Sequence, residues 1–421
     1  MVVLNGVLSE VEISDFRAIA SLRIPLTKIN VFVGRNNTGK TTIIEALALL
    51  LSSFNGYRDF VGNSILDLIT QYRGGPRYLV RMNRPYAKIS ATLDTGSKLV
   101  LYILEDLGRS KGIDPIVMKG IEQALDQVAD SMYRERISEI EREIERLKDR
   151  IEHYPEDSPR RKDLEERISK YGRELDEYLR NRDEILSSLR SRLRDEMVSC
   201  TVTLANNAVV NVHLLVKQRR HLMFEGEKEV EVKQVEFSDL RLQPIYVRMY
   251  RERTLIEKLD DLPIEQVIEL VERLRTLIPY FYDYRNGMII FKFDERKEIV
   301  PINVVGDGLL ALLELFTPSI YGVAINLIEE PELHMHPGFM EKYAQELTKF
   351  AKEHNIQYVM TTHSLEFLEY LLDNARQQDM LNEVSIIRLY RLPDGEVDYE
   401  VLSGEEAYDE LEDIKGDLRG P

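Results

Sequence analysis

A single cysteine, Cys200, no tryptophan and no long apolar run set the first limits on this chain of 421 residues. One cysteine excludes an intramolecular disulfide and a cysteine-rich zinc site, and it points to a reducing compartment. No stretch approaches the roughly 20 apolar residues that span a bilayer. The opening residues MVVLNGVLSEVEI lack the charged and apolar blocks of a signal peptide. The expectation is therefore a cytoplasmic protein with no membrane partner. Positive charge is also scarce, with 56 Lys and Arg against 73 Asp and Glu and a net charge of -17. Phosphate binding relies on cations that displace counterions, so this balance excludes a protein that coats nucleic acid over its whole surface and leaves only a local basic groove open. Internal repeats and low-complexity segments are absent.

The chain exceeds what one hydrophobic core organises, so a core interrupted by an insertion is expected. Four stretches are expected: 1–112, a helical hairpin at 113–197, a β-rich and helical lobe at 198–300, and 301–421. Residues 7 to 33 alternate apolar and polar and end in a glycine-rich turn, and from Thr41 the run IIEALALLL has helical spacing. Strands are expected at Tyr86 to Leu93 and Lys98 to Leu104. Within the hairpin, Ile137, Ile140, Ile144, Leu147 and Ile151 step by three and four. The stepping resumes at Leu164, Ile168, Tyr171, Leu175 and Tyr178, then Ile185 and Leu189, with Arg182 interrupting. Pro155 and Pro159 break the helix between two arms, each about 45 Å long at 1.5 Å per residue. A solvated spacer or dimerisation arm and a substrate-gripping lever both fit, and no CxxC at the tip allows a zinc hook. Beyond it, PIEQVIELVERLRTLI reads as a helix, and YFYDY, GMIIFKF and EIVPINVV as strands with a turn at Asn286 and Gly287. The last stretch alternates strand and helix from GVAINLIEE through IQYVMTTH to VSIIRLYRL, an α/β pattern.

Three segments carry chemistry. Gly34, Arg35, Asn36, Asn37, Thr38, Gly39, Lys40 and Thr41 satisfy GxxxxGK[ST], between an apolar strand and a helix that continues through Thr42. Such a loop turns backbone amides toward phosphate oxygens; Lys40 would reach the β- and γ-phosphates and the Thr41 hydroxyl would ligate Mg²⁺. The apolar strand AINLIEE ends in Glu329, expected to hold Mg²⁺ through water, and Glu330, expected to orient or deprotonate the attacking water. The bland reading is two acids capping a buried strand. The strand ending VMTTHS places His363 at the corresponding edge, where it could donate to the γ-phosphate; alone, it would read as a capping or packed histidine.

In this order, ISDFRAIASLRI, GRNNTGKTTIIEAL, a helical hairpin, VVGDGLLALLEL, INLIEEPELHMHP and VMTTHS resemble the ABC-type ATPase heads of the chromosome-maintenance, RecF-like and double-strand-break-repair ATPases, in a short stand-alone prokaryotic form. The resemblance covers about half the chain, at both ends. It implies an α/β fold, a P-loop NTPase of ABC-head type with a mixed sheet, a β-rich lobe and an inserted antiparallel coiled coil. It also implies ATP and Mg²⁺ as cofactors, and an ATP-dependent homodimer in which Gly306, Asp307 and Gly308 of one copy cover the nucleotide of the other. DNA, and a separate nuclease or other effector protein, are the further partners it leaves open. Glu329 stands where the family usually has aspartate, and the signature lacks its usual serine, so slow hydrolysis or an ATP-binding switch stays open.

His334, His336 and Glu332 could be taken for a metal site, but two ring nitrogens do not complete a tetrahedral shell and the residues fall in the family's ordinary loop. Basic residues cluster at Arg73, Arg77, Arg81 and Arg84, and at Lys217, Arg219 and Arg220; these are solvated faces or a nucleic-acid groove. Gln71 and Gln123 are the glutamines available to link the head to its insertion. A transporter motor is disfavoured because the transporter signature is missing. No appended nuclease domain is expected after the acidic stretch EEAYDELEDI.

Overall fold

The computed structural model describes residues 2–4, 6–72, 78–105, 112–217, 230–236, 240–242, 245–248, 259–333, 335–414 and 418. By packing, the chain forms two compact units: residues 1–103, 203–210 and 238–421 in one, and residues 104–202 and 211–237 in the other.

The first unit is built on a six-stranded sheet, in the order Ile245–Arg248, Ile325–Glu329, Gln357–Thr361, Ile29–Val33, Val384–Arg391, Val397–Ser403. Neighbours pair in parallel except the last pair, which is antiparallel. Alternate side chains point to opposite faces and so enter different cores. Phe32, Leu327, Val359 and Ile387 join one core with the helix Lys40–Ser53 and an antiparallel sheet. Val31, Ile328, Met360 and Ile386 join a second core with the helices Ile264–Leu277, Asp307–Ile320, Pro337–Glu353 and Leu365–Gln377.

The helix Lys40–Ser53 is sandwiched between the sheets, which is why its sequence is apolar on every side and nearly all its residues are buried. In the antiparallel sheet, Leu8–Phe16 pairs with both Ile19–Pro25 and Tyr86–Leu93. Buried Gln357 ties this sheet to the parallel one: its Nε2 donates to the Leu8 and Thr27 carbonyls, both at 2.7 Å, and its Oε1 accepts from the Leu8 amide at 2.7 Å. A buried amide must satisfy both ends, and this one does so with backbone on either side.

The strands Phe281–Arg285, Met288–Phe293 and Arg296–Pro301 form a separate antiparallel sheet. Asn286 and Gly287 both have positive φ, 46° and 71°, as a tight primed hairpin turn requires. The expected strand EIVPINVV stops at Pro301 and becomes a 3-10 turn, Ile302–Val304, leading into the helix Asp307–Ile320.

The second unit contains an antiparallel helical hairpin, with Pro115–Ile151 in one arm and Pro159–Arg180 and Arg182–Glu196 in the other. Asp114 and Ser158 accept from the first-turn amides of Ile116 and Arg160, each followed by proline at the first helical position, where its missing N–H costs nothing. Ile140, Leu147 and Leu164 are buried along the seam. The Tyr133 and Tyr178 rings stack at 5.8 Å, and the Tyr133 hydroxyl donates to the Tyr178 carbonyl. The second arm breaks at Asn181. Beyond the break Leu186 and Leu193 are buried, while the expected Ile185 and Leu189 are only half-buried, because the break resets the heptad register. Arg182 turns outward from the seam to Asp130, at 3.0 Å. Also in this unit, Val230–Glu236 pairs with Asn211–Lys217. Among the described residues no helix is long and apolar enough to cross a membrane.

Candidate active site at the carboxyl edge of the parallel sheet

Register brings the three motifs together. Glu329 pairs with Thr361, and Thr361 with Phe32, so the acidic strand, the histidine strand and the strand before the glycine loop end on one row. Ligand sites in α/β sheets form outside such carboxyl ends.

The loop from Gly34 to Gly39 needs its glycines. Gly34 has φ of 139°, and a Cβ there would meet the Leu389 carbonyl oxygen at 2.3 Å; Gly39 has φ of 101°. Asn37, at φ of 66°, occupies the left-handed region that asparagine tolerates. Arg35, Asn36 and Asn37 are exposed, Thr38 is buried, and the Thr38 hydroxyl donates to the Arg35 carbonyl at 2.9 Å. Buried Lys40 folds back into the loop, its Nζ donating to the carbonyls of Gly34 at 2.7 Å and Arg35 at 2.8 Å. Burial holds its ammonium below the ordinary lysine value, opposed first by Glu330 and then by Glu329. Thr41 and Thr42 follow in the first helical turn, and the Thr41 hydroxyl donates to Glu329 Oε1.

Glu330 lies in the left-handed region, φ 45°, a conformation that costs a non-glycine residue about 1–2 kcal/mol. Its amide, which donates to the Thr361 carbonyl at 3.0 Å and to Thr361 Oγ1 at 3.2 Å, holds it there. Burial and then Glu329 push its carboxyl above the ordinary glutamate range, with Lys40 pulling the other way. His363 Nε2 stands 3.5 Å from Glu330 Oε1. A lysine, two carboxylates, a threonine hydroxyl and an imidazole thus converge where a triphosphate on the glycine loop would end. The hydroxyl and carboxylate of Thr41 and Glu329 form an all-oxygen set of the kind Mg²⁺ takes.

Gly306, Asp307 and Gly308 occupy a different element. Gly306 caps the helix Asp307–Ile320 with its amide end exposed, and no hydrogen bond among the described residues joins Gly306 or Gly308 to the glycine loop. Gly308 is required by packing, since a Cβ there would come within 2.9 Å of the Phe339 ring.

His336 is a helix cap. Its Nδ1 accepts from the Gly338 amide at 3.2 Å, capping the helix Pro337–Glu353. Glu332 binds instead to Thr362 and His363, His334 lies outside the described residues, and no metal-ligating cluster occurs among those described. Arg73, Arg77, Arg219 and Arg220 also lie outside the described residues, as do the side chains of Lys217 and Gln71. Arg81 and Arg84 are paired with Glu396 and Asp15, and Gln123 is exposed on the hairpin.

Two contacts had no sequence signal. Arg391, at the end of a parallel strand, donates to the Asn37 carbonyl at 2.8 Å and the Gly395 carbonyl at 2.6 Å, bracing the glycine loop. Arg17, from the turn of the N-terminal hairpin, pairs with fully buried Glu45 in the helix after the loop.

Fold and site together define a P-loop ATPase head of the ABC type. The profile of the AAA ATPase domain family matches residues 7–251, and the chain belongs to that family. The chain is 31% identical over 121 residues to an uncharacterized protein of Methanocaldococcus jannaschii, covering 28% of this chain and all of that protein. It is 32% identical over 108 residues to the ATP/GTP phosphatase of Helicobacter pylori and 26% identical over 141 residues to the endonuclease GajA of Bacillus cereus. The matches take 25% and 28% of this chain but span only 29% and 21% of those two proteins. Among solved structures, the Smc head domain with a coiled coil and joint from Pyrococcus yayanosii aligns with 98% of this chain and all of that one, at 12% identity and a TM-score of 0.45.

Proposed function

We propose that this chain binds ATP with Mg²⁺ on the loop from Gly34 to Thr42, hydrolyses it with Glu330, and uses the nucleotide to close two copies head to head, moving the hairpin of residues 113–197 in work on DNA. The observation that carries this reading is the shared row of Phe32, Thr361 and Glu329, which sets Lys40, Glu330 and His363 around one point. Lys40, which in this structure binds two loop carbonyls, exchanges them for the β- and γ-phosphates. Thr41 and Glu329 hold Mg²⁺, which neutralises phosphate charge. Glu330, with its raised affinity for a proton, accepts one as the water oxygen bonds to the γ-phosphorus and the bond to ADP breaks. His363, beside it, donates to the γ-phosphate and loses that partner after hydrolysis.

The exposed amide end at Gly306, Asp307 and Gly308 suits a nucleotide held by a second copy. Because those contacts exist only in the closed pair, ATP shifts the balance between open and closed. The sizing of Glu330→Gln with and without ATP and Mg²⁺ tests this: a nucleotide-dependent dimer is expected, and a monomer in both conditions would remove the sandwich.

A second reading has its own support. Arg81 and Arg84, half of one basic run, are already neutralised by Glu396 and Asp15, which weakens a DNA groove there. The chain would then be a nucleotide-gated protein that controls a separate effector such as a nuclease, a relation in keeping with its partial similarity to an endonuclease. Double-stranded DNA that raises ATPase activity at low salt, with the effect lost in Arg219→Glu, supports the first reading. No response to DNA supports the second.

A further inference from the structure

We infer that Glu332 is a positioning residue for hydrolysis: its carboxylate ties the loop after the acidic strand to the loop carrying His363, so that the histidine is presented to the γ-phosphate. This rests on the catalytic reading of Glu330 and His363 above.

The geometry is specific. Glu332 Oε1 accepts from Thr362 Oγ1 at 2.7 Å and from the His363 backbone amide at 3.0 Å. The same Thr362 hydroxyl oxygen accepts the Ser364 amide at 3.0 Å, and Ser364 Oγ in turn caps the helix Leu365–Gln377 through the Phe367 amide at 3.1 Å. The amides of His363, Ser364 and Phe367 are thereby held in series, and the anchor of the series is one carboxylate on the neighbouring strand's loop. A charged acceptor makes such bonds about twice as strong as a neutral one. The other end of the tie is two residues from Glu330, whose amide is held by Thr361 on the same histidine strand. The two loops are therefore laced twice, once on each side of the Glu330 and His363 side chains. The second Glu332 oxygen is buried and has no hydrogen-bond partner among the described residues, so within them the carboxylate serves this one link.

Kinetics of ATP hydrolysis by the full chain test the role, with Glu332→Leu, Glu332→Gln, His363→Gln and the Glu332→Leu/His363→Gln double variant. The Leu variant should lose about tenfold in kcat with KM for ATP within about twofold, as losses of orienting partners do. Gln, which keeps an oxygen for both donors, should restore most of the rate. The double variant should be no slower than the slower single one, since both act on one group. A Leu variant with parental kcat, a loss confined to KM, a Gln variant as slow as Leu, or additive losses in the double variant would each overturn the inference. Glu330→Gln run alongside separates the cases. If it abolishes turnover while Glu332→Leu does not, only the positioning role fails; if it too hydrolyses ATP normally, the catalytic reading fails with it.

Discussion

The hydroxyl of Thr41 donates to the carboxylate of Glu329 across 288 residues of sequence, bringing together in space the two side chains proposed to hold the metal. The hydroxyl oxygen keeps its lone pairs in this contact, so it can take Mg²⁺ while still donating its hydrogen to the carboxylate.

Removing that carboxylate should therefore weaken the metal site. A hydrogen bond to a charged group is worth about 1.5 kcal/mol or more, so Glu329→Ala should reach half-maximal activity only at about tenfold higher Mg²⁺ or above. Initial rates across a magnesium titration measure this, and an unchanged or lower magnesium requirement contradicts it.

Glu330→Gln should lower ATP turnover by at least about 100-fold, as loss of a general base does. It should also stabilise the nucleotide-free protein at neutral pH. The folded Glu330 holds its proton more tightly than the unfolded chain does, so the parent loses stability as pH rises from the ordinary glutamate value through the raised one. The glutamine variant should melt about 1–2 °C higher at pH 7.5, with the gap closing on acidification. Calorimetry at both pH values checks the sign, and a variant that melts lower at pH 7.5 contradicts it.

Much of this site could be read from residue order. GRNNTGKT, EEPE and TTHS each lie at the end of an apolar run, and parallel pairing in register then forces their ends together. The hairpin was legible because prolines and capping residues mark the arms, and Arg182 interrupts the apolar stepping next to the break at Asn181, but no proline or glycine stands there to mark a helix end. Ligand count sets aside a metal site at Glu332 and His336, but spacing alone cannot show that one is a loop tie and the other a helix cap. Arg391 was invisible for another reason: its partner is a backbone carbonyl 354 residues away, and a backbone carbonyl has no sequence signature.

That contact yields a further prediction. Arg391 is exposed, so its bond to the Asn37 carbonyl adds modestly to the loop's order, and Arg391→Ala should weaken ATP binding by about fivefold, the low end for a charged donor. Equilibrium binding of a fluorescent ATP analogue reads it out; parental affinity contradicts the bracing role.

Titration calorimetry of ATP with Mg²⁺ into the parent protein and into Lys40→Ala tests the central claim most directly. Removing two charge-assisted contacts to phosphate should weaken binding by at least about 100-fold while the variant melts cooperatively like the parent. Equal affinity in the two proteins would place the nucleotide somewhere other than the loop that ends in Lys40 and Thr41.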